Sequence, residues 1–245
     1  FVRPVMIWSN EPDGIQVQMP VAALHLMLEG LAHMTAKEYD ASERSLAKAY
    51  SLSRAPTIIP LMARLDVRRG QRDAALRRLQ SAIDALEKED PSSSKIASML
   101  WHQASIHYTA GAHGRAAEVC ERALAIVTAR GTDTAEYAAG QNNLGVALQL
   151  GGSTARALEY YERSFVALQN GMRNTQPGSS RKYKMQIPAV AANRGLAFWQ
   201  LGDLARAMDS FRVALEERAF YENESNTERA RLAKAQAIAI ELDAL

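Results

Sequence analysis

Ser-x-x-Lys strings such as Ser45 to Lys48 and Ser92 to Lys95 are the nearest approach of this sequence to a nucleophile paired with a base. Such a nucleophile needs companion motifs, and neither string has them. The sequence also lacks a phosphate loop ending in Gly-Lys-Ser/Thr, a Gly-x-Ser-x-Gly elbow, a His-Glu-x-x-His helix and a Cys-x-x-Cys pair. We therefore predict that the chain is not an enzyme and has no catalytic or cofactor-binding residues.

The histidines and the single cysteine are poorly spaced for metal binding. His102 and His107 lie on one predicted helix, but a separation of five residues rotates the second ring by roughly 500° relative to the first. Helical ligand pairs are four residues apart instead. Cys120 falls where two helices are predicted to meet, so we expect it to pack as a small hydrophobic side chain. No metal site is predicted.

Amides, aromatic rings and arginines supply the chemistry of recognition instead. An amide offers a donor and an acceptor together, which matches a main-chain peptide group without reading its side chain. Large rings often carry the binding energy of an interface, and neighbouring arginines can hold carboxylates. The candidate partner-binding residues are Asn142, Asn143, Gln149, Asn193, Trp199, Trp101, Tyr108, Arg64 and Arg68.

A spacing pattern that occurs five times identifies the elements that position these residues. Each copy has a turn residue, a small residue seven positions before it, small residues five and twelve after it, and a large residue nine after it. Small residues at these points let two antiparallel helices approach closely, and the large residue fills the seam between them. Turn residues 33, 41, 41 and 50 positions apart are typical of a solenoid. They are Lys37, Gly70, Gly111, Gly152 and Gly202.

The pattern, together with a composition dominated by alanine and leucine, predicts an all-α fold. We expect an α-solenoid of about five helix hairpins within residues 22–245. A capping box at residues 225–228 predicts a final helix to about residue 244, which caps the last hairpin or leads into another repeat. The predicted hairpin helices are 22–36 and 39–53, 57–69 and 72–88, 95–110 and 113–130, 134–150 and 154–169, and 187–201 and 204–222.

Two stretches carry a family resemblance. Asn-Leu-Gly-Val-Ala-Leu at residues 143–148, continuing through Gly152 to Ala-Leu-Glu-Tyr-Tyr at 157–161, resembles the tetratricopeptide repeat. So does Gly-Leu-Ala-Phe at 195–198, with the residues that follow it to Phe211. The 41-residue spacing is similar to that of the long-helix variant found in kinesin light chains and bacterial regulators. The resemblance covers roughly residues 22–222.

The resemblance implies a scaffold or adaptor whose first helices line a concave groove for an extended or helical segment of a partner protein. In repeats of this kind, asparagines at the positions of Asn143 and Asn193 commonly pair with a peptide backbone, so the same role is implied here. A regulatory or sensor module of a larger multidomain protein is the alternative. The lysines of the carboxylate clamp of chaperone-binding relatives are missing from the equivalent positions, which argues against chaperone tails as ligands.

The amides and rings also have a purely structural interpretation. Asn143 and Asn193 could satisfy neighbouring helix groups or water rather than a partner. Trp101, Tyr108 and Trp199 could pack in the core or between repeats, because large rings prefer burial. The residue types alone leave both interpretations open.

The charged residues also have two possible roles, in binding a partner or in forming surface ion pairs. Arg64 and Arg68 are four residues apart on one helix and could hold an acidic peptide, or form surface ion pairs with Asp66, Asp73 and Asp84. The net charge is only +2, from 29 Lys and Arg against 27 Asp and Glu, which argues against nucleic acid as a partner.

Localisation is predicted from what the sequence lacks. No apolar run reaches the ~18 residues of a membrane-spanning helix, and no charged-then-apolar leader opens the chain. A single cysteine fits a cytoplasmic protein. Because the sequence opens at Phe1 rather than methionine, we expect that the natural N-terminus is missing.

Two segments break the repeat pattern. Residues 1–21 predict a short extended arm or β-hairpin that packs on the first repeat, in the groove or on a partner. Residues 170–186 have a Gln-Pro-Gly-Ser-Ser turn at their centre, and residues 171–185 contain no acidic residue. The basic residues of the segment are Arg173, Arg181, Lys182 and Lys184. We expect this segment to be a flexible, solvated insertion that is unable to form a core, or else a dock for an acidic partner.

Overall fold

A computed structural model describes residues 4, 6, 19–132, 134–175 and 180–217 of the chain. Within these residues the regular structure is helical and no strand occurs, which confirms the all-α class. The helices are α1 (Val21–Thr35), α2 (Tyr39–Ser53), α3 (Ile59–Arg68, preceded by a 3₁₀ turn at Pro56–Ile58), α4 (Arg72–Glu89), α5 (Ser94–Thr109), α6 (His113–Thr128), α7 (Ala135–Leu150), α8 (Thr154–Arg173), α9 (Arg181–Lys184), α10 (Ile187–Gln200) and α11 (204–217).

The five predicted turn residues all adopt left-handed backbone conformations. Their φ angles are 63° at Lys37, 78° at Gly70, 76° at Gly111, 88° at Gly152 and 83° at Gly202. Glycine adopts such angles without steric penalty because it has no Cβ, whereas Lys37 does so at a cost. Each of these residues lies between the two helices of a hairpin, so the sequence pattern located the five hairpins correctly.

First-helix glycines face large residues across the seam, as the pattern predicts. A Cβ built on Gly145 would lie 2.6 Å from Cε1 of Tyr161, and one built on Gly30 would lie 2.7 Å from Cγ of Leu46. The hairpin of α10 and α11 repeats this arrangement with Phe211. Since real Cβ atoms do not approach other atoms so closely, only glycine permits these helices their present separation.

Cys120 occupies the large-residue position of the α5–α6 hairpin and is fully buried as a free thiol. Burial, with a smaller contribution from the charge of Glu121, raises the pKa of the thiol to about 12. The thiol is therefore neutral near pH 7 and packs as a small apolar group. This confirms its predicted place in the seam.

The chain divides into two compact units. The first unit comprises Trp8–Thr132 with Leu150–Gly152, and so contains α1 to α6. The second unit comprises Phe1–Ile7, Asp133–Gln149 and Ser153–Leu245, and contains α8 to α11 with all but the last residue of α7. Both units are built from the same kind of helix hairpin.

Apolar clusters hold the first unit together. Leu46 and Ile58 belong to a cluster formed by α1, α2 and α3. Leu79, Ile83 and Leu100 belong to a second cluster formed by α3 to α6. Burying one such side chain contributes about 1.5–3 kcal/mol to the free energy of unfolding.

The core of the second unit corrects the expectation for residues 170–186. α8 continues into this segment, and α9 forms within it. Tyr183 is 5% exposed and packs with Leu168 and Val190, and its ring lies directly against Gly171. The prediction that this segment is unable to form a core is therefore wrong, because the Tyr183 ring packs on Gly171 within an apolar cluster that Met172 also contacts.

Several predictions fall outside the described residues. They are the final helix from 225 to about 244, residues 218–222 of the last hairpin helix, and residues 1–18 of the arm apart from Pro4 and Met6. Those two residues are buried.

Candidate functional site

Three amides from two hairpins meet inside the second unit. Asn142 and Asn143 lie on α7 and Asn193 lies on α10, and their exposed fractions are 0%, 2% and 2%. Nδ2 of Asn193 donates to Oδ1 of Asn142 at 2.8 Å, and Nδ2 of Asn142 donates to Oδ1 of Asn143 at 3.4 Å. We call these three residues the amide cluster. It links side chains that are 51 positions apart in sequence and thereby ties the two hairpins together.

α7 places the amide cluster in a helix that is buried on almost every side. Small residues such as Gly145 let the neighbouring helix approach, so that even polar residues of α7 are removed from solvent. The large majority of buried side-chain polar atoms are hydrogen-bonded, and an amide has both donor and acceptor atoms to satisfy. The bonds within the amide cluster use part of that capacity, and each of the three residues has a further interaction.

A second chain of polar side chains runs along the same hairpins. The hydroxyl of Tyr161 donates to Oε1 of Gln149 at 2.7 Å, and Nε2 of Gln149 donates to Oε1 of Gln200 at 2.8 Å. The hydroxyl of Thr154 donates to the same Gln200 oxygen at 3.1 Å. Gln149 is buried and Gln200 is exposed, so this row of hydrogen-bonded side chains leads from the seam to the surface.

Sequence reasoning did not assign Tyr161 or Thr154 to the site. The available signal was the position of Tyr161 in the seam, since a buried tyrosine hydroxyl needs a hydrogen-bond partner. Thr154 gave no comparable signal, because its contact depends on a glutamine 46 positions away.

The three predicted aromatic anchors differ in environment. Trp199 on α10 is 54% exposed. Trp101 on α5 is half-buried and packs against an apolar cluster of the first unit. Tyr108 is also half-buried, with its ring centroid 6.2 Å from that of His113. Trp199 thus offers the largest accessible apolar surface of the three, whereas Trp101 contributes to core packing.

Arg64 and Arg68 form a basic patch on α3 of the first unit. Both side chains are exposed, and neither forms an ion pair within the part of the chain that the structure describes. Asp66 pairs with Arg78 instead, whose Nε donates to its Oδ2 at 2.8 Å. Partial burial and the charge of Arg68 lower the pKa of Arg64. The patch therefore presents positive charge that these neighbours leave uncompensated.

The positive charge of the basic patch affects the pKa of His102 on α5. Burial lowers the pKa of His102 to about 4, and the charge of Arg64 contributes to the same shift. The imidazole is therefore neutral near pH 7. At that pH the positive charge of this face comes from Arg64 and Arg68 and not from the histidine.

The structure separates the nine predicted residues into two groups, one in each unit. In the second unit, hydrogen bonds join the three asparagines to one another and Gln149 to Gln200, and Trp199 lies on the helix that carries Asn193. The other four residues, Trp101, Tyr108, Arg64 and Arg68, lie on α3 and α5 of the first unit.

The described residues contain no group of His, Cys, Asp and Glu side chains arranged to hold a metal ion. Among the same residues, every helix is too short or too polar to cross a membrane.

Comparison with known proteins agrees with this architecture. Two family models described as tetratricopeptide repeat match residues 95–169 and 184–222. No curated protein matches the chain. The solved structure of BtubC (BKLC) from P. vanneervenii is similar, with a TM-score of 0.70 and 21% sequence identity, over 81% of this chain and 80% of that one.

Other solved structures share the fold at lower identity. A putative kinesin light chain of Podosopora anserina with nearly identical TPR-like repeats has a TM-score of 0.59 and 16% identity, over 82% of this chain and 94% of that one. PilF of Pseudomonas aeruginosa has a TM-score of 0.57 and 16% identity, over 80% of this chain and 76% of that one. Identities this low establish the common fold, and the chemistry has to be argued from the residues of this chain.

Proposed function

We propose that this chain, which is a tetratricopeptide-repeat protein, is a protein-interaction scaffold or adaptor that holds an extended segment of a partner against the first helices of its hairpins. The amide cluster carries the proposal. Asn143 and Asn193 occupy the same position in their hairpins and are joined through Asn142 at 3.4 and 2.8 Å. An amide side chain pairs with a main-chain peptide group whatever residue that group belongs to.

The surroundings of the amide cluster favour an uncharged segment. Its members are neutral, and a charge brought into a buried site without a partner is costly. Trp199 on the same helix as Asn193 is 54% exposed and supplies an apolar surface for a side chain of the partner. A neutral, apolar segment therefore suits the second unit.

The basic patch suggests a second contact of different chemistry. Arg64 and Arg68 are exposed on the first helix of their hairpin, and the neighbouring Asp66 is bound to Arg78. Carboxylates of a partner would form charge-assisted hydrogen bonds with this pair. An adaptor with one neutral and one basic site joins partners during complex assembly without performing chemistry on them, and we propose the cytoplasm as its location.

Selection from a library of short random peptides, displayed against the immobilised 245-residue chain, tests this function. Fluorescence anisotropy then gives the dissociation constant of the enriched peptides. We expect the peptides that bind the second unit to be rich in apolar residues and to bind the Asn143→Ala/Asn193→Ala variant about tenfold or more weakly. Asn174→Ala is the matched control, because Asn174 is exposed and lies outside the amide cluster.

Circular dichroism has to show that the double variant is folded, because truncating buried amides also removes internal bonds. If it unfolds, the single variant Asn143→Ser keeps a small polar group and replaces it in the comparison. Enriched peptides that bind wild type and variant equally would contradict the role of the amide cluster.

A further inference from the structure

The N-terminal residues Pro4 and Met6 belong to the second unit, although the first unit directly follows them in sequence. Both residues are buried, with Met6 5% exposed. Pro4 also has a polar interaction. Because proline has no N–H, the atom that makes this interaction is its carbonyl oxygen, acting as an acceptor. A piece of main chain from the N-terminal end is therefore packed into the unit that contains the amide cluster.

The amide cluster is also more deeply buried than an empty recognition surface would be. Asn143 and Asn193 are each 2% exposed, whereas Arg64 and Arg68 on the first helix of another hairpin are exposed. Asparagine is among the residues that remain largely exposed unless something covers them. Both asparagines have a further interaction besides the bonds within the amide cluster. Their amides are therefore buried and not open to solvent.

The N-terminal sequence has the chemistry that the cluster suits. Residues 1–8 read Phe-Val-Arg-Pro-Val-Met-Ile-Trp, with Arg3 as the one charged side chain. Pro4 fixes its own φ and restricts Arg3 to extended conformations, which lowers the entropy lost when the segment binds in an extended form. The sequence of this segment is therefore apolar apart from Arg3, and Pro4 disfavours a helix at the residue before it.

We propose that the segment around Pro4 and Met6 is an intramolecular ligand of the amide cluster and occupies the site that a partner segment takes. This inference rests on the proposed function and names the ligand class, which is an extended apolar segment with at most one charge. A partner has to displace a tethered competitor whose effective concentration is on the order of millimolar. The binding of a partner to the scaffold is thus regulated by the scaffold's own N-terminal segment.

Competition between tethered and free copies of the segment tests this inference. The probe is a fluorescent synthetic peptide with the sequence of residues 1–8, and its binding to the 245-residue chain is measured by anisotropy. In Met6→Asp the tethered segment carries a charge that does not fit a buried apolar position. We expect this variant to bind the probe about tenfold or more tightly than wild type does. Met208→Asp is the matched control, since Met208 is 72% exposed, and it should bind the probe as weakly as wild type.

A spectroscopic measurement on the wild-type chain keeps the inference testable if Met6→Asp folds poorly. With methionines labelled with ¹³C at the ε-methyl group, comparison with the spectrum of Met6→Leu assigns the Met6 signal. We expect that signal to be shifted from its position in the free peptide and to move toward that position when excess unlabelled peptide is added. A Met6 signal at the free-peptide position in the intact chain would overturn the inference.

The two levels of the proposal fail in different ways. If wild type and Met6→Asp select apolar peptides with equal affinity, the scaffold function stands and the intramolecular ligand is wrong. If Met6→Asp selects no peptide and does not bind the probe, the amide cluster is not a peptide site and both proposals are overturned.

Discussion

The first helices of the two units are built to the same plan but carry opposite chemistry. In the second unit, Asn143 and Asn193 are neutral, buried and hydrogen-bonded. In the first unit, Arg64 and Arg68 are charged, exposed and without an ion-pair partner among the described residues. Both units nevertheless contain the same kind of seam, since Gly30 faces Leu46 in the first unit and Gly145 faces Tyr161 in the second. The hairpin scaffold therefore does not determine what a face recognises, and residues outside the seam do.

The acid side of the stability curve tests the electrostatic half of this comparison and has the largest expected effect. His102 has a folded-state pKa of about 4, below its ordinary value of 6.5, so the unfolded state binds the proton first as the pH falls. Its contribution to stability is complete above pH 6.5 and is lost between pH 6.5 and 4, by up to about 3 kcal/mol. Urea unfolding across this range should show a shallower pH dependence for His102→Gln than for wild type.

His25→Gln is the control for this measurement, because His25 is exposed on α1 of the same unit. Its pH dependence should match that of wild type. If His102→Gln also matched wild type, then the burial of His102 beside Arg64 would be wrong.

Adding one methyl group to a seam in each unit tests whether the scaffold is shared. A Cβ at Gly145 would lie 2.6 Å from the Tyr161 ring, and one at Gly30 would lie 2.7 Å from Leu46. Overpacking costs about 1–3 kcal/mol, while replacing glycine in a helix returns about 1 kcal/mol. We expect Gly145→Ala and Gly30→Ala each to lower the free energy of unfolding by about 1 kcal/mol, measured by urea denaturation.

Gly114→Ala shows what the same substitution does without a facing residue. A Cβ at Gly114 would meet no atom within 4 Å, and the residue lies in α6. We expect it to raise the free energy of unfolding by up to about 1 kcal/mol. Seam variants that behaved like Gly114→Ala would show that the close approach of the helices is not required.

The smallest expected effect concerns the basic patch. Arg64→Ala/Arg68→Ala should weaken the binding of acidic peptides by about 0.5 kcal/mol for each arginine, with less salt dependence than wild type. Isothermal titration at two salt concentrations measures both. Arg77→Ala is the control, because Arg77 is exposed on α4, the second helix of the hairpin. If the variant and the control lost equal affinity for acidic peptides, the peptides would be attracted by the general surface charge and not by Arg64 and Arg68 in particular.

Structural features that depend on residues close together in sequence can be predicted from the sequence, whereas contacts between residues far apart in sequence cannot. The turns at Gly111 and Gly152 follow from local backbone geometry, and the seam partners of Gly145 lie within one hairpin. Both can be read from spacing. The bond from Asn193 to Asn142 spans 51 positions. A local sequence pattern therefore cannot show whether these asparagines are buried and bonded to one another or exposed in a row that a peptide could reach. Tyr183 was missed for a related reason, since most residues next to it in sequence are polar and its ring is buried by Gly171, Leu168 and Val190 on the flanking helices.

The central claim is that Asn143 and Asn193 recognise the main chain of an extended segment, and a double-mutant cycle on main-chain atoms tests it most directly. The peptide of residues 1–8 is compared with copies carrying a main-chain N-methyl group at successive positions, on the Met6→Asp chain with and without Asn143→Ala/Asn193→Ala. At one or more positions we expect N-methylation to weaken binding about tenfold when the asparagines are present and to have little effect when they are absent. Equal losses with and without the asparagines would contradict the claim.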